Sequence, residues 1–269
     1  MQPSKNIGII GAGLSSLYAA CYLAKQGHSV TIFEKNTMVG GRSQTFEAKG
    51  FKFDMGPSWY WMPELIDGMF EDLNERRSDY FELEKLKTSY QVFWNDQTSS
   101  KVSSDEEKLN ALFNSFEEKG AEKLNKFLSD AKIKYEVAIK LLENPGLSIT
   151  ELMKWSVIKN SLKLDVLKSV NRDVTNRFES VKARSILNFP VLFLGAMPNN
   201  IPSLYTLMNY ADLRLGTWYP KGGMNDLAKA LAKIATNNGA TIFLNQNVQE
   251  ILAKDGKVSG ILSNEVEHK

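Results

Sequence analysis

The chain has 269 residues, 43% of them hydrophobic and 24% charged, with 33 lysines and arginines against 31 aspartates and glutamates. That length supplies a buried core for one large domain or two small ones, and a net charge of +2 leaves no electrostatic footprint for nucleic acid. A single cysteine, Cys21, excludes an internal disulfide and a cysteine zinc cluster, and two histidines, His28 and His268, make a histidine metal site or triad untenable.

Asn6–Ile10 is a short β-branched run that suits a buried strand. Gly11, Ala12, Gly13, Leu14, Ser15 and Ser16 follow in the spacing of a G-x-G-x-x-G turn. Leu14–Gln26 reads as a helix with Leu17, Ala20, Cys21 and Ala24 on one face and Gly27 as its stop, so Cys21 is expected in the core. Ser29–Glu34 reads as a second strand ending in an acid. Such a unit is a dinucleotide site. Gly11 makes the tight turn, Gly13 lets backbone N–H groups approach a pyrophosphate, and the helix N-terminus offers about half a positive charge to it. Glu34 lies 21 positions after Gly13, where a carboxylate can accept from a ribose. Ser16 replaces the third glycine and is small enough to keep most of the helix–strand contact. Ile7–Ala24 carries no charge and approaches the ~20 residues that span a bilayer, with Lys5 ahead of it as in a signal peptide. Its three glycines, two serines and following strand read instead as soluble and internal.

Beyond Lys35 comes Gly40–Gly41–Arg42, then Gly50–Pro57, a strand entering a tight turn at Gly56 and Pro57. Pro63–Leu73 is expected as a helix with Leu65, Met69 and Phe70 as its apolar stripe, and Tyr90–Trp94 as a strand. Asn95–Ser104 reads as a polar turn. Asp105–Leu142 is helical in pattern and broken near Gly120, with Leu109, Leu112, Phe113, Phe116, Leu124, Phe127, Leu128 and Ala131 spaced for a core. Asn144–Pro145–Gly146 punctuates the chain. Residues 147–184 hold eight basic and four acidic groups among apolar ones, a pattern that fits either an ordinary exposed helix or a basic amphipathic surface on an anionic bilayer. Glu151 and Lys154 within it share a helix face, as a surface ion pair or as proton-handling groups. Phe189–Met197 and Pro198 form an apolar run too short to span a membrane, fitting core or a tunnel lining. Tyr219–Met224 is a loop opening a helix with Leu227, Ala230, Leu231 and Ile234 as its core face, and strands are expected at Thr241–Leu244 and Val248–Leu252, returning to the dinucleotide fold.

The string from Gly11 to Arg42, followed by Gly50–Asp67 with its Gly56-Pro-Ser-Trp-Tyr-Trp-Met-Pro63 segment, resembles the amino-terminal part of the bacterial phytoene desaturases. The resemblance continues through Pro202–Tyr205, Met208–Asp212 and Tyr219–Leu252. Amine oxidases and protoporphyrinogen oxidase share the first motif and Gly40–Gly41–Arg42 but are not expected to share Trp59–Tyr60–Trp61. The resemblance implies an α/β fold: an FAD-binding Rossmann-like domain with an inserted, mostly helical substrate- and membrane-associating region, incomplete at the C-terminus. It divides the chain into residues 1–75 and 216–269 for the FAD-binding domain and 76–215 for the inserted region. It implies FAD as cofactor, held by Gly11, Ala12, Gly13, Leu14, Ser15, Ser16, Glu34, Lys35, Gly40, Gly41, Arg42, Gly56, Pro57, Ser58 and Val248, with no metal and no catalytic residue assigned.

The implied activity is desaturation of phytoene towards lycopene. The substrate would be an apolar polyene met at a membrane surface, in a cytoplasmic protein peripheral on the inner face of the cell membrane. No second glycine-rich turn supports a built-in NAD(P)H site, so oxygen or a quinone would be the electron acceptor. The alternatives are another carotenoid desaturase, ketolase or isomerase, an amine-oxidase-like flavoenzyme, or an inactive flavin-binding fragment. Family members are roughly twice as long, and the expectation is a partial sequence.

Overall fold

A computed structural model describes residues 3–142 and 168–268. The chain forms two compact units, residues 1–84 with 218–269, and residues 85–217.

The first unit begins with β1 (Asn6–Ile10), α1 (Leu14–Lys25) and β2 (Ser29–Phe33). β1 and β2 pair in parallel, Asn6 opposite Ser29 through Ile10 opposite Phe33, as a crossover through α1 requires. A hairpin follows, β3 (Gln44–Ala48) against β4 (Phe51–Met55), then α2 (Pro63–Asp72) and the short β5 (Leu83–Lys85). Pro63 at the first position of α2 supplies the fixed φ that starts the helix. Ile66 and Met69 pack beside buried Phe70; Ile66, rather than the expected Leu65, completes the stripe.

The second unit opens with the hairpin β6 (Tyr90–Phe93) and β7 (Ser99–Val102). β7 was expected as turn because Ser-Ser-Lys-Val has weak strand propensity, yet it alternates, with Ser100 and Val102 buried against β6. α3 (Glu106–Phe116) is capped by Asp105, whose carboxylate accepts from the Lys108 N–H at 3.1 Å. α4 (Gly120–Leu142) then packs on α3, where all eight apolar positions expected for a core are buried or partly buried: Leu109, Phe113, Leu124, Phe127, Leu128 and Ala131 fully, Leu112 and Phe116 in part. α5 (Val170–Arg177) and α6 (Val181–Asn188) are capped by Ser169 and Ser180. The unit closes with short 3-10 and α turns and a π-helical turn at Ala211–Leu215.

Back in the first unit, β8 (Trp218–Pro220) pairs with β5, α7 (Asp226–Asn237) packs on α1, and β9 (Thr241–Phe243) adds to β2 in parallel, giving the sheet order β1-β2-β9. The α1–α7 contact buries Leu17, Ala20, Cys21 and Ala24 against Leu227, Ala230, Leu231, Ile234 and Ala235, over Val30 and Ile32 of the sheet. Cys21 is core, as expected, and its thiol donates to the Leu231 carbonyl at 3.1 Å. β10 (Val248–Lys254), β11 (Lys257–Ser263) and β12 (Val266–His268) form a separate antiparallel meander.

Asn144–Gly146, Glu151 and Lys154, with the rest of 143–167, lie outside the described residues. Three of the four basic groups of the same stretch on α5 and α6 have partners within the unit: Arg177 with Asp130 and Asp173, Lys182 with Asp96, and Arg184 donating to the Phe178 carbonyl. In the 189–198 run Pro190 and Val191 are core, whereas Leu192, Phe193, Leu194 and Met197 are exposed. No helix among the described residues is long and apolar enough to cross a membrane.

Candidate cofactor site

The turn after β1 is where backbone, not side chains, presents itself. α1 begins at Gly13 with no side-chain cap and no acid in its first turn, so its leading N–H groups are left for an anion. The space beside Gly13 is open: a Cβ there would meet nothing within 4 Å. Ser15 faces solvent and Ser16 is partly buried, while Leu14 packs against the core.

Glu34 holds this turn in place. It is buried, and its Oε2 accepts from the Ala12 N–H at 2.6 Å while Oε1 accepts from the Asn36 N–H and Nδ2 at 2.8 and 2.7 Å. The carboxylate expected to face a ribose is thus also the anchor of the glycine turn, a role its spacing does not announce. Lys35 beside it is exposed. The Glu34 carbonyl accepts from Gln246 N–H at 2.8 Å, which fixes the entry to β10 and hence the position of Val248 two residues later.

The Gly40–Arg42 segment docks directly on the turn. Gly40 N–H donates to the Ala12 carbonyl at 2.8 Å, and Gly13 and Gly40 form an isolated parallel bridge. Gly40 sits at φ +120°, and a Cβ there would collide with Asn225 Nδ2 and the Ser43 carbonyl. Gly56, at φ +145°, packs its α-carbon so that a Cβ would strike the Arg42 carbonyl oxygen. Only glycine meets both conditions. Arg42, Pro57 and Ser58 are exposed at this rim.

Several residues that complete the site were not singled out from the sequence. Asp54 on β4 accepts from the Met224 N–H at 3.0 Å through Oδ1 and from the Tyr219 hydroxyl at 2.5 Å through Oδ2. Lys52, on the same face of β4, donates to the Gly222 carbonyl. Asn225 sits at the N-cap of α7 but caps nothing; its Nδ2 donates to the carbonyls of Val39 at 3.0 Å and Ser43 at 2.5 Å. Ser43 Oγ in turn donates to the Met224 carbonyl at 3.1 Å. An acid in the middle of the Phe-Lys-Phe-Asp-Met strand, ahead of Gly-Pro, was the available signal for Asp54. Burial first, then the bond to Asp54, pushes the Tyr219 hydroxyl up to about 12. In the aromatic string, Tyr60 is core and bridged to Trp218, while Trp59 and Trp61 stack at 5.7 Å.

The turn, Glu34, the double glycine and Gly56 are therefore assembled as one cradle. An uncapped helix N-terminus flanked by close backbone suits a pyrophosphate, so the residues present fit a dinucleotide. Among the described residues no cluster of side chains could hold a metal ion.

Comparisons agree with this geometry. The model of the flavin containing amine oxidoreductase family matches residues 12–266. A carotenoid 3,4-desaturase of Haloarcula japonica is 32% identical over 92% of this chain and 50% of its own length. A 4,4'-diapophytoene desaturase (4,4'-diaponeurosporene-forming) of Staphylococcus haemolyticus is 34% identical over 91% of this chain and 49% of its own length. The chain thus spans about half the length of the curated relatives it matches. Putrescine oxidase bound to putrescine superposes with a TM-score of 0.60 at 18% identity, over 97% of this chain and 55% of that one. A RAB GDI from Plasmodium falciparum gives 0.58 at 13% identity, over 99% and 64%, so the fold alone does not assign an activity. The α/β fold class, the likeness to carotenoid desaturases and the FAD cofactor expected from the sequence are borne out. This chain belongs to the flavin containing amine oxidoreductases, a family of FAD-dependent oxidoreductases.

Proposed function

We propose that the chain forms the cofactor-holding part of an FAD-dependent carotenoid desaturase that converts phytoene into more conjugated carotenoids, towards lycopene. The observation that carries the reading is an uncapped α1 N-terminus closed over by Gly40 and Gly56, in a chain whose relatives are carotenoid desaturases. The cofactor, when bound, supplies the acceptor for a hydride leaving an allylic carbon. The chain's own residues bind and orient. Backbone N–H groups at Gly13–Ser16 would hold the pyrophosphate, exposed Arg42 would add positive charge, Glu34 and Lys35 would serve the ribose, and Val248 would offer backbone to the adenine. Gly56, Pro57 and Ser58 would border the flavin end.

An apolar polyene needs an apolar wall that excludes water. The β3–β4 hairpin provides one: Phe46, Phe51, Phe53 and Met55 share a face and are exposed, and Met55 leads directly into Gly56. Its opposite face carries Asp54 and Lys52, which hold the 219–224 loop. Phytoene would be drawn from a membrane on whose cytoplasmic side the protein rests, with oxygen or a quinone as final electron acceptor.

The test is anaerobic. The flavin spectrum of the purified protein is recorded, and liposomes containing phytoene are added. Bleaching that depends on phytoene is the expected result. Bleaching with diapophytoene alone would move the substrate to the shorter polyene, and bleaching with an amine alone would overturn the desaturase reading.

A further inference from the structure

We infer that the apolar turn at residues 192–197 inserts into an anionic lipid surface, with Lys168 and Arg172 resting on its headgroups. The turn gives the membrane contact proposed above a place in the chain, and so rests on that reading. From Ser185 to Ala211 the chain carries no charged residue. Part of that stretch is apolar because it is core: Ile186, Leu187, Pro190 and Val191 are buried. Residues 192–197 are different. All six are exposed, and none has a polar side chain. Leu192, Phe193, Leu194 and Met197 are 45, 55, 45 and 62% exposed. A water-facing surface rarely strings so many apolar side chains together without a use for them.

The turn is braced at both ends. It leaves the core as a 3-10 turn, Pro190–Leu194, seated on buried Pro190 and Val191. Gly195, at φ +75°, reverses the chain, and Pro198 is buried again, its carbonyl accepting from the Asn171 N–H at 3.1 Å. The Phe189 and Phe193 rings meet edge-on at 5.5 Å at its root. Two backbone donors are satisfied within it: Leu192 N–H donates to the Phe189 carbonyl at 3.1 Å and Gly195 N–H to the Leu192 carbonyl at 3.0 Å. Internal pairing of this kind is what a backbone entering lipid requires.

The charge beside the turn favours an anionic surface. Val170 N–H donates to the Ile201 carbonyl at 2.8 Å and Ser203 N–H to the Lys168 carbonyl at 2.7 Å, which lays residues 168–171 along the base of the turn. The exposed charges of 168–178 are Lys168 and Arg172, both basic. The acid among them, Asp173, is buried between Lys134 and Arg177. An apolar turn rimmed by long basic side chains matches the boundary of acyl chains and phosphates. A protein partner is a poorer fit, because interfaces carry about one hydrogen bond per 100–200 Å² and 192–197 offers no side chain to make one.

The test floats the purified protein with phosphatidylcholine vesicles, with and without phosphatidylglycerol. Flotation is expected with phosphatidylglycerol and about fivefold less of it for Arg172→Ala. Leu194→Asp should weaken flotation about tenfold with Tm and flavin content unchanged. The emission of Leu194→Trp, after subtraction of the parent protein's, should shift to the blue when those vesicles are added. Flotation that Leu194→Asp leaves intact, or a Leu194→Trp emission that vesicles do not shift, would overturn the inference and leave the membrane contact elsewhere on the chain. No flotation in either composition would overturn the inference together with the membrane part of the reading above. A fall in light-scattering mass on Leu194→Asp without vesicles would overturn it by assigning the turn to a second copy.

Discussion

The two units solve the problem of polar groups in opposite ways. In the first, the site is built from backbone: N–H groups, carbonyls and glycines packed so closely that Gly40 and Gly56 admit no side chain. In the second, polar chemistry is carried by side chains sealed inside a helical core. Lys134, 2% exposed, donates to Ser203 Oγ at 2.7 Å, to the Ser203 carbonyl at 3.0 Å and to Thr206 Oγ1 at 3.2 Å. Ser203 Oγ donates to Asp173 at 3.0 Å, and Arg177 reaches both Asp173 and Asp130. A backbone site presents uncapped N–H groups that suit an anion. A satisfied side-chain network is closed and holds helices together.

That contrast breaks most visibly at Lys134. Lys134→Met takes from buried Asp173 one of its two cations, Arg177 remaining, and removes the donor to Ser203 and Thr206; it should cost about 3 kcal/mol, read as a lower denaturation midpoint with flavin retention unchanged in the folded fraction. Gly56→Ala inverts the pattern. Strain at positive φ plus the collision with the Arg42 carbonyl should cost about 3 kcal/mol, and flavin should be lost from protein that still melts cooperatively. Glu34→Ala leaves the Ala12 N–H and the Asn36 amide without acceptors, an expected loss of about 2 kcal/mol together with weaker flavin binding, measured by fluorescence titration.

A smaller effect sharpens the role of the Asp54 clamp. The Tyr219 hydroxyl, ordinarily near 10, sits at about 12 because burial and then Asp54 favour its neutral form. Its contribution is present below pH 10 and is lost as the pH rises from 10 to 12. Tyr18 and Tyr80, also raised to about 12, act in the same window. Tyr219→Phe should therefore flatten, without abolishing, the alkaline fall in Tm. The smallest effect is expected on the surface of the second unit, where Lys182→Ala removes an exposed ion pair to Asp96 and should leave Tm unchanged within error.

The units also differ in how plainly the sequence declares them. β1, α1 and the buried face of α1 were legible because a glycine turn between a β-branched run and a 3.6-residue stripe admits one arrangement. α3 and α4 were legible from the same period, broken near Gly120. β3, β5 and β7 were not: their residues are polar or mixed, and they are strands only because a partner strand pairs with them. Glu34 was found by spacing but its grip on Ala12 was hidden, since a carboxylate's partner on a turn 22 positions earlier leaves no local pattern. Asp54 and Asn225 escaped for a similar reason. Each looked like an ordinary strand or cap residue, and each acts across more than 160 positions of chain.

If the backbone cradle at Gly13, Gly40 and Gly56 holds FAD, closing it with a side chain must expel the flavin. The most direct measurement is the flavin-to-protein ratio after gel filtration in excess FAD, for the protein as found and for Gly40→Ala and Lys134→Met. About one flavin per chain is expected, lost in Gly40→Ala and kept in Lys134→Met. A cooperatively folded protein that carries no flavin, or a Gly40→Ala variant that retains it fully, would contradict it.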